Sequence, residues 1–252
     1  TGNGTVSFNG VGLGTDDRNA ILFTSAPTLT AGIPGPWAFH NGTALASYDN
    51  TLGVIPAPET AFTDIAAKGP STIPDDAGLN ARINSEGTAG PIALAGTATN
   101  RVYTLSQNSE WAAEVGMTNQ TLLTAGVLIN AGQAALTLGT AENEGVLAPL
   151  SSGGNLLLAN NGDAVLTVNA DLTNNASAST VAKAGSGAVR LNGLLGHTGG
   201  TSLGEGELIL GGSVTQTLAG VVSGGGTLIK DGDGRITLGT ANTYTGPTVV
   251  RG

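Results

Sequence analysis

The sequence predicts an all-β chain, a parallel β-solenoid that follows a loopier β portion rich in proline and aromatic residues. Three observations carry that prediction. An eight-residue phrase returns six times, as GNGTVSFN (2–9), GQAALTLG (132–139), GDAVLTVN (162–169), GSGAVRLN (185–192), GEGELILG (204–211) and GDGRITLG (232–239). Each copy is a turn followed by a short alternating strand, and repetition every few tens of residues marks a coil that stacks on itself. Second, charged residues are only 11% against 40% hydrophobic, so the surface is dressed in Thr, Ser, Asn and Gly. Stacked Asn or Thr tolerate rung-on-rung contact, whereas stacked like charges repel. Third, composition shifts near residue 92: eight of ten prolines and six of nine aromatics precede it.

Residues 1–100 are therefore expected to form a β portion with long loops, serving as a cap or assembly region. AILFTSAPTLT and GPWAFHNGT read as short strands, VIPAPETAFTD and KGPSTIPDDAGLN as loops. SQNSEWAAEV (106–115) offers a short helix with Ser106 as its cap. Residues 101–252 are expected to form the solenoid. Its phrases begin at 132, 162, 185, 204 and 232, steps of 30, 23, 19 and 28. Such steps are too short for helix-backed units but suit two or three strands with corners. Val189 and Leu191, Leu208 and Leu210, and Ile236 and Leu238 should point inward, because alternate residues share a face. Residues 182–203 align without a gap to 229–250 at an offset of 47, a spacing that two rungs per long repeat would explain.

Net charge is −9, and no Lys or Arg lies between Arg101 and Lys183. Phosphate binding needs clustered cations, so nucleic acid is not an expected partner. The chain has no cysteine, which excludes disulfides, thiolate metal sites and a thiol nucleophile. Val115 to Ala141 is uncharged but alternates polar with apolar, so it does not read as a spanning helix. Aromatic girdles of a membrane barrel are also missing. No membrane insertion by this segment is expected.

GTLIKDGDGRITLGTANTYTGPTVVRG (226–252) resembles the autotransporter-associated β-strand repeat, also called the passenger-associated transport repeat. Gly226, Thr227, Leu228, Lys230, Gly232, Gly234, Leu238, Asn242, Tyr244, Thr245, Gly246, Thr248 and Val250 fall on its pattern, with Ile236 in a Leu place and Pro247 in a Gly place. The 179–206 copy is degenerate, with His197 for the Tyr and Leu195 for the Asn. Residues 21–54 are similar to a segment met between such repeats in very large secreted bacterial surface proteins. The resemblance implies a right-handed parallel β-helix, exported to or beyond the surface of a Gram-negative-type bacterium. It implies no reaction.

Candidate sites are few. Asp231 and Asp233 resemble part of a calcium loop, but the remaining ligands are missing and a tight corner is the better reading. Asp16-Asp17-Arg18 and Asp75-Asp76 are adjacent acids, which point apart on a strand. Glu205 and Glu207 share a face as a glycosidase pair would, yet occupy a corner slot with no aromatic platform nearby. His40 and His197 are the only histidines, and no nucleophile elbow accompanies them. Trp37 and Phe39 offer either a ligand face or a core. Asn3, Asn41, Asn119 and Asn175 open sequons that a chain this rich in Asn and Thr produces by chance. The sequence thus assigns no catalytic, cofactor-binding or metal-ligating residue and no cofactor.

The expected function is a non-enzymatic extracellular structural protein, the shaft of a bacterial surface fibre or filament. The alternative is an adhesin module that recognises glycan or a surface protein through its N-terminal loops. Head-to-tail self-association, or continuation into further repeats, is the expected partnership.

Overall fold

The computed structural model describes residues 4–16 and 18–251, and these are all β apart from one 3-10 turn at Glu59–Ala61. The parallel stack of about nine coils begins at Phe62–Ala66. That strand pairs with Asp76–Ser85, which pairs with Thr99–Gln107 and then Thr121–Ile129, all parallel. The expected boundary between residues 100 and 101 therefore falls inside a solenoid strand. Proline-bearing loops between residues 67 and 98 hide these early coils from a composition count.

One face of the stack, ribbon A, is a seven-stranded parallel sheet running from Ala113–Val115 to Thr248–Val250. Its register places Leu136, Leu166, Val189, Leu208, Leu228 and Thr248 in one column, steps of 30, 23, 19, 20 and 20. Four of the sequence phrases supply strands of this ribbon, as expected. The last phrase does not: Ile236–Leu238 pairs with Gln216–Leu218 on another face, and Thr227–Lys230 takes the place in ribbon A. The first phrase forms Val6–Phe8 in a separate module, its opening residues Gly2 and Asn3 lying outside the described residues. The 47-residue echo is corrected in the same way. Two coils beyond Val189 stands Leu228, whereas its sequence echo Ile236 lies one face further on.

The second face forks. Residues 121–124 pair with Val146–Pro149, while residues 126–129 pair with Asn155–Asn160. Ribbon B continues through Asp171–Thr173 and Leu195–Gly196, and ribbon C through Thr180–Ala184, Thr201–Leu203 and Val222–Gly224. Coils before the fork have two main faces and those after it have three. Residues 150–154, between the two branches, supply the extra corner, and Thr124 marks the bend by accepting a hydrogen bond from the Gly126 amide at 3.2 Å.

Alternate residues of all three ribbons fill one aliphatic interior, including Leu122, Val127, Leu136, Leu158, Leu166 and Leu208. At the corners between ribbons C and A, buried polar side chains replace the aliphatic ones. Gln107 Nε2 donates to the Trp111 and Ala135 carbonyls at 2.9 and 3.1 Å, and Asn160 Nδ2 to those of Ala164 and Ala188 at 2.6 and 2.7 Å. Lys183 Nζ binds the carbonyls of Gly185 and Glu205. Lys230 repeats the device on the Gly232 carbonyl at the exit of its ribbon A strand. Gly185 and Gly232 have φ of 77° and 116°, a region that favours glycine, which explains why glycine follows each lysine by two. Residues 106–115 form no helix: Gln107 ends a strand inward, the chain bends, and Ala113–Val115 enters ribbon A.

Residues 4–57 form a small sheet ordered Val6–Phe8, Ala38–His40, Ala44–Asp49 and Gly53–Pro56. This module lies along the side of the stack. Its Ile33, Phe39 and Leu45 cover Leu128, Leu157, Ala159, Ala182 and Ala184, which face outward from the long strand and ribbon C. Pro36 sits so close to Gly126 that a β-carbon there would come within 2.8 Å of it.

A loop at residues 139–145 runs lengthwise over the corner between ribbons A and B. Glu144 accepts from the Met117 amide at 2.8 Å and the Thr118 hydroxyl at 2.9 Å. Asn143 donates to the Asn169 carbonyl at 2.7 Å and accepts from the Leu194 amide at 3.1 Å. Glu142 accepts from the Ser213 amide at 2.7 Å.

Candidate binding surface

Trp37 and Phe39 divide between the two roles open to them. Phe39 points into the lateral core and is 3% exposed. Trp37 precedes the strand Ala38–His40, is 39% exposed, and borders a cleft of about 250 Å³. Phe8, Phe23, Tyr48, Pro27 and Pro34 complete its apolar walls, with Ser25 at the edge. Phe23 stacks on Tyr48 at 5.5 Å between ring centroids and meets Phe8 edge-on at 6.0 Å. The Tyr48 hydroxyl is anchored by the Phe23 amide at 3.0 Å. Gly35 lets the indole lie against the backbone, since a β-carbon there would collide with its nitrogen. Every lining residue belongs to the N-terminal module. The alternating run GPWAFHNGT was the signal for this surface, but alternation does not say which aromatic turns outward.

The acidic candidates do not converge, except that Glu205 and Glu207 both lie near enough to the Lys183 ammonium to act on its charge. Asp16 accepts from the Arg18 and Asn19 amides at 3.0 and 3.2 Å in its own turn, and Asp17 lies outside the described residues. Asp75 accepts from the Arg101 amide at 2.8 Å, whereas Asp76 turns to the Gly78 amide at 2.8 Å. Asp231 pairs with Arg190, whose hydrogen bond holds its carboxyl below the usual range, and Asp233 stands exposed at a corner. The backbone of Glu205 receives Lys183. Among the described residues no group of three or more His, Asp or Glu is placed to hold a metal ion.

The histidines are tied into the fold. His40 Nε2 donates to the Leu13 carbonyl at 3.0 Å. His197 is buried, with Nε2 on the Thr201 hydroxyl at 2.9 Å, and burial lowers its pKa to about 4. Tyr244 makes the matching contact four residues on, to the Thr248 hydroxyl at 2.7 Å. The repeat's Tyr place is thus a corner tie that an imidazole can also make. Among the sequons, Asn41 and Asn119 adopt φ of 52° and 56°, left-handed turns that asparagine tolerates. Asn175 donates to the Pro149 carbonyl at 2.9 Å, and Asn3 lies outside the described residues.

Two ionisable features were not legible in the sequence. Arg82 lies over the Phe62 ring at 4.6 Å and bridges Glu59 at 2.6 Å and Asp64 at 2.7 Å. Its hydrogen bonds hold both carboxyls below their usual range, and the cluster joins the 3-10 turn to the first coils. Lys183 is buried and its pKa is lowered to about 8 by desolvation. A depressed amine in a cleft would suggest a nucleophile. Here the ammonium is enclosed and bound to corner carbonyls, a structural arrangement.

The passenger-associated-transport-repeat family model matches residues 181–210 and 228–252, so the chain carries two copies of this repeat. Each includes one of the glycine corners and a His197- or Tyr244-type tie. The chain is 32% identical over 244 residues to the adhesin BmaC autotransporter of Brucella suis biovar 1 (strain 1330). The alignment takes in 89% of this chain and 7% of that protein, so the chain spans a small part of that relative's length. No solved structure matches the chain with significance.

Proposed function

We propose that this chain is a shaft section of an extracellular bacterial passenger protein, a structural element rather than an enzyme. The observation that carries the reading is the unbroken parallel register of ribbon A from Ala113 to Val250, with transport repeats in its last coils. Parallel stacking hydrogen-bonds each coil to the next, so the fold extends along one axis. About nine coils at the ~4.8 Å strand spacing give a rod roughly 43 Å long. The relative's description as an autotransporter adhesin supports placement at or beyond the cell surface. Immunogold labelling of intact, unpermeabilised cells of the source bacterium, with antibody to the purified chain, tests this directly. Labelling along projecting structures is expected. Antigen found only after lysis would overturn the reading.

A second, compatible reading is that the shaft displays the lateral module as an adhesive element. The exposed aromatic cleft favours it, because a module needed only to cover ribbon C would not leave Phe23 and Trp37 about 40% exposed.

A further inference from the structure

The cleft bounded by Phe8, Phe23, Trp37 and Tyr48 has features that together narrow the ligand it would take. Its volume, about 250 Å³, lies below the roughly 300–1,000 Å³ typical of pockets for drug-sized ligands. One ring fits, and an extended ligand would have to continue outside. The stacked Phe23 and Tyr48 rings, 30° apart in plane, present broad apolar surface beside the indole of Trp37. Such surface suits a flat face of C–H groups. No charged side chain lines the cleft, although the chain carries a net charge of −9. An anion would meet a repelling field with no cation to hold it, and a cation would find no carboxylate.

The polar edges are equally specific. The Tyr48 hydroxyl is already engaged by Phe23. Trp37 Nε1–H and the Ser25 hydroxyl have no hydrogen-bond partner among the described residues, and both residues line the cleft. An apolar face flanked by one N–H donor and one hydroxyl is the complement of a sugar ring, whose C–H face is apolar and whose rim is hydroxylated. Pro27 and Pro34 stiffen the walls, which reduces the ordering cost of binding.

We propose that this cleft is a subsite for one uncharged pyranose ring, its C–H face packed on the apolar wall of Phe8, Phe23 and Tyr48 and its hydroxyls directed to the in-plane Trp37 N–H at the indole edge and to Ser25. Binding to an isolated ring should be weak, and physiological avidity would come from repetition of the site on neighbouring molecules.

The test uses the full chain with Trp111→Phe, which leaves Trp37 as the only tryptophan, excited selectively on the red edge where the tyrosines do not absorb. Methyl β-glucopyranoside, methyl β-galactopyranoside, methyl α-mannopyranoside, sodium glucuronate and a decaproline peptide are titrated separately. Saturation-transfer NMR is recorded on any that bind. At least one neutral glycoside should shift Trp37 emission saturably, with transfer strongest at its ring C–H protons and no comparable effect from glucuronate. Trp37→Ala should abolish that transfer, while Trp37→Phe should weaken binding roughly threefold to tenfold, the loss of one hydrogen bond. Near-UV circular dichroism confirms that each variant's module is folded, and Ser25→Ala supplies a further exposed change that threatens folding less. Saturable binding by decaproline in preference to every glycoside would overturn the proposal in favour of peptide recognition. Absence of saturable binding by all three neutral glycosides, or transfer that survives in folded Trp37→Ala, would also overturn it.

Discussion

The coils before the fork and those after it meet the same stacking problem at different widths. Before it, strands run to ten residues in Asp76–Ser85 and nine in both Thr99–Gln107 and Thr121–Ile129. After it, none exceeds the six of Asn155–Asn160. A wide coil has outward surface to manage, and here it is handled by additions from outside. Arg82 is held between two carboxylates, and the module lays Ile33, Phe39 and Leu45 over Leu128 and on across the fork as far as Ala184. The last coils lie beyond that lateral cluster, which ends at Ala184. They depend on the aliphatic interior and on corner ties such as His197 and Lys230. The lesson is that one solenoid can draw stability laterally in one region and locally in the next.

The largest test of that contrast is Phe39→Ala. Truncating this buried ring should cost about 3–5 kcal/mol and release the module from ribbon C. Hydrogen exchange should then quicken in Asn155–Asn160 and Thr180–Ala184 but stay slow in Glu207–Leu210. Equal loss of protection at both places would break the comparison.

Acid should act next most strongly, and on the later coils. The folded-state pKa of His197, about 4, lies below the ordinary 6.5, so the unfolded chain takes up the proton first as pH falls. Its contribution is complete above pH 6.5 and is lost progressively down to pH 4, about 3 kcal/mol in all. Burial alone would raise the Glu144 carboxyl, but hydrogen bonds from Thr140, Met117 and Thr118 lower its pKa to about 2. Glu144 therefore loses its contribution only as pH falls from 4.5 towards 2. Denaturant midpoints between pH 6.5 and 4.5 isolate the histidine, and His197→Tyr, which copies Tyr244, should flatten that window.

Gln107→Leu should cost about 1–3 kcal/mol, since it removes the amide's bonds to the Trp111 and Ala135 carbonyls and leaves the buried Ser109 amide without its acceptor. An unchanged urea midpoint would mean that water replaces the amide at that corner. The smallest effect is expected at the exposed corner residue Asp233. Asp233→Ala should stay within about 0.5 kcal/mol, and a larger loss in melting would give Asp233 a role that no contact suggests.

The sequence phrases located ribbon A well, because a glycine corner followed by two inward aliphatics is a local signal. Which face a phrase occupies is not local, so Ile236–Leu238 was placed one face away from its column. The early coils were masked by prolines in their loops, although the strand containing Ala81 and Ile83 alternates clearly. The lateral core did leave a trace. Runs such as Val127-Leu128-Ile129 and Leu156-Leu157-Leu158 are apolar on both faces, as strands covered twice must be. The buried ties Gln107, Asn160 and Lys183 read as ordinary surface residues, since nothing in their neighbours announces an inward polar group. At the cleft, Trp37 was legible as a candidate and its free edge was not.

A stack in which each coil touches only its neighbours would come apart like a zip, one rung at a time from either end. The lengthwise loop at residues 139–145 changes that. Through Glu144, Asn143 and Glu142 it reaches backbone groups at Met117, Asn169, Leu194 and Ser213, rungs far apart in the stack. A tear travelling along the axis cannot pass this seam by breaking one ladder alone. Several coils must yield together, so this part of the stack behaves under tension as a single cooperative knot.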